Sequence, residues 1–139
     1  MGRAIGFIIV LAIVAVVIML SSPDKGVKTL EYRDLIRLTS PLAEEEITSP
    51  LVIKGEARGN WYFEATFPVV LTNWDGLIIA EGYATAQDDW MTEDYVPFEA
   101  TLEFDKPKDG ERGSLILKKS NASGLPEHDD ALEIKVFFK

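Results

Sequence analysis

Cysteine is absent from the 139 residues, and histidine occurs once, at His128. Without thiols the chain holds neither a disulfide framework nor a thiolate metal site, and one imidazole falls short of the several nitrogen or sulfur ligands that zinc hydrolysis requires. No Gly-x-Gly-x-x-Gly or Gly-x-x-x-x-Gly-Lys-Ser/Thr loop is present to cradle a phosphate, and no Gly-x-Ser-x-Gly turn to present a serine. A Ser-His-acid triad would have to use His128, flanked by Glu127 and Asp129, and a solvated loop histidine is the simpler reading. Basic residues are also scarce: 14 Lys and Arg stand against 23 Asp and Glu, for a net charge of −9. The imbalance lies beyond residue 34, where ten Lys and Arg face twenty Asp and Glu, a net −10, whereas residues 1–34 sum to +1. A domain that acidic repels phosphate backbones, so nucleic acid is not an expected partner. No cofactor is expected, and no enzyme.

What the chain has at its start is a run of 17 uncharged residues, AIGFIIVLAIVAVVIML at 4–20, behind Arg3. As a helix it is about 26 Å long, near the short limit for a hydrocarbon core of about 30 Å. Small residues are missing at the positions a signal peptidase reads, so a retained signal anchor is favoured over a cleaved signal peptide. Residues 1–3 are then a short cytoplasmic N-terminus, 4–20 a single transmembrane anchor and 21–34, SSPDKGVKTLEYRD, a linker. The remainder, 35–139, is an extracytoplasmic domain, secreted if the anchor is cut. As a tether, 21–34 would reach on the order of 45 Å.

Beyond residue 34 the apolar residues recur with a strand's two-residue period. In 59–72, GNWYFEATFPVVLT, the residues Trp61, Phe63, Ala65, Phe67, Val69 and Leu71 fall on one face, while Tyr62, Glu64 and Thr66 fall on a mixed one. This is the expected central strand. Ile36 and Leu38 alternate until Ser40-Pro41, and Ile47 until Ser49-Pro50, as a first strand broken in two. Leu51, Ile53, Gly55 and Ala57 share a side; Asn73-Trp74-Asp75-Gly76 marks a hairpin turn into 77–86. Val96, Phe98, Ala100 and Leu102, then 114–119, then Leu132, Ile134, Val136 and Phe138 supply further one-sided strands, separated by the loops 87–95 and 121–130. About seven strands at roughly ten-residue spacing is the pattern of an all-β, immunoglobulin-like antiparallel sandwich.

The segments SPL at 49–51, GEARGNWYFEATFPVVL at 55–71, GYATAQDDWMTEDYVPFEATLEF at 82–104 and SGLPEHDDALEIKVFF at 123–138 resemble the immunoglobulin-like domain of bacterial spore-germination proteins, the type found beside GerM domains. The resemblance implies a sandwich outside the cytoplasm with a role in adhesion or envelope contacts and no established catalysis. Two sets of residues are candidates for function. Asp88, Asp89, Glu93 and Asp94, with Asp129 and Asp130 from the later loop, supply oxygens of the kind calcium takes, though without the spacing of a calcium loop. The alternative is that such carboxylates accept backbone N–H bonds while Trp90 caps the end of the sandwich. Trp74 and Trp90, in a turn and a loop, are candidate contacts for a partner. The expected role is a membrane-anchored, non-catalytic binding or adhesion module touching an envelope protein or cell-wall component. A calcium-stabilised envelope domain, or an accessory module in peptidoglycan or glycan processing, is the alternative.

Overall fold

The computed structural model describes residues 28–108 and 111–139. The expected transmembrane segment 4–20 and the linker as far as residue 27 lie outside the described residues. Among the described residues no helix is long and apolar enough to cross a membrane.

Among the described residues nine strands form one hydrogen-bonded sheet: β1 (Leu30–Tyr32), β2 (Ile36–Ser40), β3 (Glu46–Ile47), β4 (Leu51–Arg58), β5 (Thr66–Thr72), β6 (Ile78–Ala86), β7 (Tyr95–Leu102), β8 (Arg112–Lys118) and β9 (Ala131–Phe138). Their order is β1-β2-β4-β7-β6-β5-β8-β9-β3. Strands β6 and β7 share only the pairs Thr85↔Glu99 and Ala86↔Phe98. At this narrow seam the sheet curls, and its two halves bury their apolar faces against each other. Phe67 of β5 meets Phe98 of β7 edge to face at 4.9 Å between ring centroids. The alternation in β7 and β9 is one-sided as expected: Val96, Phe98, Ala100 and Leu102, and Leu132, Ile134, Val136 and Phe138, are all buried.

Two strands beyond the expected seven have local causes. The proline-broken first strand becomes two strands on opposite halves, β2 pairing with β4 and β3 pairing in parallel with β9. Strand β1 forms inside the segment read as linker, where a turn with Arg33 and Asp34 at φ of +51° and +54° sends the chain back along β2. The fold therefore takes up the last five residues of that segment.

The expected central strand is also corrected. Gly59–Trp61 is a 3₁₀ turn, and the chain then reverses through a tight turn in which Phe63 and Thr66 exchange backbone hydrogen bonds of 2.9 and 3.1 Å. Glu64 and Ala65 occupy its centre at φ of +50° and +65°, the geometry of a type I′ hairpin turn. Strand β5 begins only at Thr66: Phe67, Val69 and Leu71 are buried as assigned, Val70 and Thr72 of the mixed face are buried with them, and upstream the alternation breaks at Tyr62 and Phe63. Phe63 is 47% exposed, and Tyr62, expected on the mixed face, is buried with its hydroxyl donating to the Val96 carbonyl at 2.6 Å. Trp61 is fully buried as expected, edge to face with Tyr32.

The register sorts the connections into two ends. Arg58 pairs with Tyr95 and Ala57 with Ile36, which places the β1–β2 turn, the Gly59–Trp61 turn and the 87–94 loop together. The 119–130 loop joins them through the Ser120 N–H donated to the Trp61 carbonyl. At the opposite end Leu51 pairs with Leu102, and Ile79 lies beside Ser49, Pro50 and Phe104, so the β5–β6 hairpin turn belongs there. We refer to these as the loop end and the hairpin end.

Candidate functional site

The loop end is built by side chains that satisfy its backbone. Asp88 accepts the Asp89 N–H, Asp89 accepts the Met91 N–H, and the Thr92 hydroxyl accepts the Asp94 N–H. These are the capping bonds that let a short acidic run turn without a helix or strand to hold it. The loop is seated on Gly59. A Cβ there would stand 1.8 Å from the Thr92 carbonyl oxygen and 2.4 Å from that of Trp90, so only glycine admits the contact. The Gly59 N–H in turn donates to the Asp94 carbonyl. Trp90 is half-buried against the core, as the capping alternative expected. Asp88, Asp89, Glu93 and Asp94, proposed above as calcium ligands, are not gathered: among the described residues no three His, Asp or Glu side chains converge as a group able to hold a metal.

The later loop closes on itself in the same manner. Asn121 donates to the Leu125 carbonyl and to Asp129, and accepts the Ser123 hydroxyl. Ser123 Oγ accepts the Leu125 N–H and lies 3.0 Å from His128 Nδ1, a contact whose direction follows the imidazole tautomer. Asp130 turns inward, accepting the Tyr32 hydroxyl at 2.9 Å, and ties the loop to β1. That hydrogen bond raises the Tyr32 phenol above its usual value.

On the flank of this end the Arg37 and Arg58 guanidiniums lie 3.8 and 3.9 Å from the centroid of the Tyr95 ring. Asp34 receives the Tyr95 hydroxyl at 2.8 Å and Arg58 at 3.0 Å, and Glu56 receives Arg37 at 3.0 Å. The Tyr95 and Arg58 hydrogen bonds hold the Asp34 carboxyl below its ordinary range. Every cation in the cluster is matched by a carboxylate, which makes it a clamp on the β1–β2 turn.

Beside their exposed carboxylates, these loops leave three large apolar side chains in solvent. Met91 is 78% exposed, and Phe63 and Leu125 are each 47% exposed, one on each of the three connections that meet here. Sequence reasoning passed over all three. Met91 and Leu125 were visible as isolated apolar side chains inside polar runs, whereas Phe63 was masked by an alternation that reads as buried strand. Of the two tryptophans singled out, Trp90 is part of the packing and Trp74 is 60% exposed at the hairpin end. The structure does not bring them together.

A curled antiparallel sheet with two facing halves, a first strand shared between them and loops gathered at one end is an immunoglobulin-type module. The model of the family described as the immunoglobulin-like domain of bacterial spore germination matches residues 35–124, more than half of the chain, and the chain belongs to that family. Strands β1 and β9 lie outside the matched residues yet are hydrogen-bonded into the sheet. No curated protein and no solved structure matches the chain.

Proposed function

We propose that this chain is a membrane-anchored, extracytoplasmic binding or adhesion module of the bacterial cell envelope, non-catalytic, which presents its loop end to an envelope protein or a cell-wall component. The loop end carries the reading. Three connections fixed by hydrogen bonds to their own backbone expose Phe63, Met91 and Leu125 on an acidic rim. Loops whose backbone is already held in place bind with little further loss of backbone conformational entropy. Anchoring is supported by the uncharged run 4–20, and orientation by Arg3 in front of it. The family supports a module of the spore-germination type.

The test is capture of envelope components on the full chain held in lipid nanodiscs. Met91→Ser combined with Leu125→Ser removes the captured component while leaving the melting temperature within a degree or two, because both side chains are already in solvent. Capture unchanged by that pair sinks the loop-end assignment.

A further inference from the structure

We propose that the tip of the β5–β6 hairpin, through Trp74, Leu77 and Ile78, docks into the surface of the same bilayer that holds residues 4–20; the inference rests on the anchor reading above. These three side chains are 60%, 64% and 58% exposed, a concentration of solvent-facing apolar surface within five consecutive residues. The turn itself is well made. Asn73 Oδ1 accepts the Asp75 and Leu77 N–H groups, and Gly76 takes φ of +82°. A rigid turn that holds a tryptophan and two aliphatics in water has no folding reason to do so, and tryptophan is the residue most at home at the headgroup level of a membrane.

The path of the chain says which surface the tip meets. Strand β1 runs toward the loop end, since Leu30 pairs with Leu38 and Tyr32 with Ile36, so the residues before it arrive from the hairpin end. Residues 21–29 number nine, and whatever their conformation they span at most about 30 Å. Leu38 lies opposite Gly55, four residues from Leu51 at the hairpin-end rim, a distance of about 13 Å. With the strands along the membrane normal and the hairpin end toward the bilayer, that rim stands about 17 Å beyond Leu20 at full extension. Ile79 is level with this rim beside Ser49 and Pro50, and the turn residues project past it. The formation of β1 therefore replaces the long tether expected from sequence with a shorter one, entering from the hairpin end, that keeps this end within reach of the bilayer.

Electrostatics defines the kind of docking. Residues 35–139 carry a net −10, which repels an anionic leaflet, while the surroundings of Trp74 are mixed, with Arg112, Lys135 and Glu133 lining the depression beside it. Attachment is thus through apolar side chains, on zwitterionic lipid, and survives salt that screens charge. The short tether supplies the local concentration that so small a tip needs.

The absence of cysteine makes the test direct. Three single variants of the full chain, Ala12→Cys, Leu77→Cys and Glu127→Cys, are labelled with a polarity-sensitive fluorophore and reconstituted into phosphatidylcholine vesicles with or without brominated acyl chains. The expected result is quenching by brominated lipid at 12 and 77, unchanged at high salt, and none at 127. Further variants that add Trp74→Ser and Ile78→Ser to the labelled chain lose the quenching at 77 alone. Quenching at 12 without quenching at 77 overturns the docking and leaves the anchor standing; no quenching at 12 overturns both. Protection at 77 that ignores bromination and grows with the protein-to-lipid ratio assigns the tip to a second copy, and also overturns the proposal.

Discussion

Ala65 is one of five non-glycine residues held at positive φ among the described residues. At φ of +65° its Cβ crowds the following carbonyl, a penalty of roughly 1 kcal/mol that glycine avoids. Ala65→Gly is expected to raise stability by about 0.5 to 1 kcal/mol in urea melts, part of the gain being offset by the greater freedom of glycine in the unfolded chain. The same residue explains why the turn escaped sequence reading. Glu64-Ala65 lacks the Gly, Asn or Asp that advertises positive φ, and the spacing of Trp61, Phe63, Ala65 and Phe67 imitates a strand. By contrast Asn73 and Gly76 announced their turn openly. Asp34 gives a second residue-level expectation. Its carboxyl is held below the ordinary range by Tyr95 and Arg58, so its contribution to stability is complete above about pH 4 and is lost as pH falls through the depressed value. The melting-temperature gap between the wild type and Asp34→Asn should therefore be full near neutrality and close in acid. A gap that widens on acidification would reverse that assignment.

Among the elements, β1 was the least legible and has the largest consequence. Three residues, LEY, in a run with Pro, Gly, Ser and mixed charge carry no periodicity, and what makes them a strand is tertiary: Tyr32 packs on Trp61 and bonds Asp130, 98 residues away. A chain cut to 35–139 loses this cover. It should be less stable than 28–139 by on the order of 2 to 4 kcal/mol, with the deficit seen as a lower urea midpoint. The long alternating strands β4, β7 and β9 were readable because each has one face buried along its whole length, so local pattern and global burial coincide. Loop packing was not readable, because Gly59 looks like any strand-terminal glycine until Thr92 and Trp90 are seen against it. Gly59→Ala is expected to destabilise the domain by about 1 to 3 kcal/mol through overpacking, and to raise amide exchange across 88–94 more than across β5.

For the whole molecule, the two ends of the sheet carry different surfaces, and the direction of β1 sets from which of them the chain enters the sheet. The hairpin end holds Trp74, Leu77 and Ile78 on the side from which the chain enters; the loop end, with Phe63, Met91 and Leu125, is on the far side. Composition made the acidic character of the domain plain from the start. It left the polarity of the molecule open, since that depends on pairings such as Leu30 with Leu38 that no local pattern encodes. The proposal that this polarity is displayed across a membrane is tested most directly in cells expressing the full chain with Glu127→Cys, its sole cysteine, treated with a membrane-impermeant maleimide after the wall is removed. The account predicts labelling of intact spheroplasts and recovery of the labelled chain in the membrane fraction at its full mass. A chain that is labelled only after lysis, or that is recovered in the soluble fraction, would contradict it.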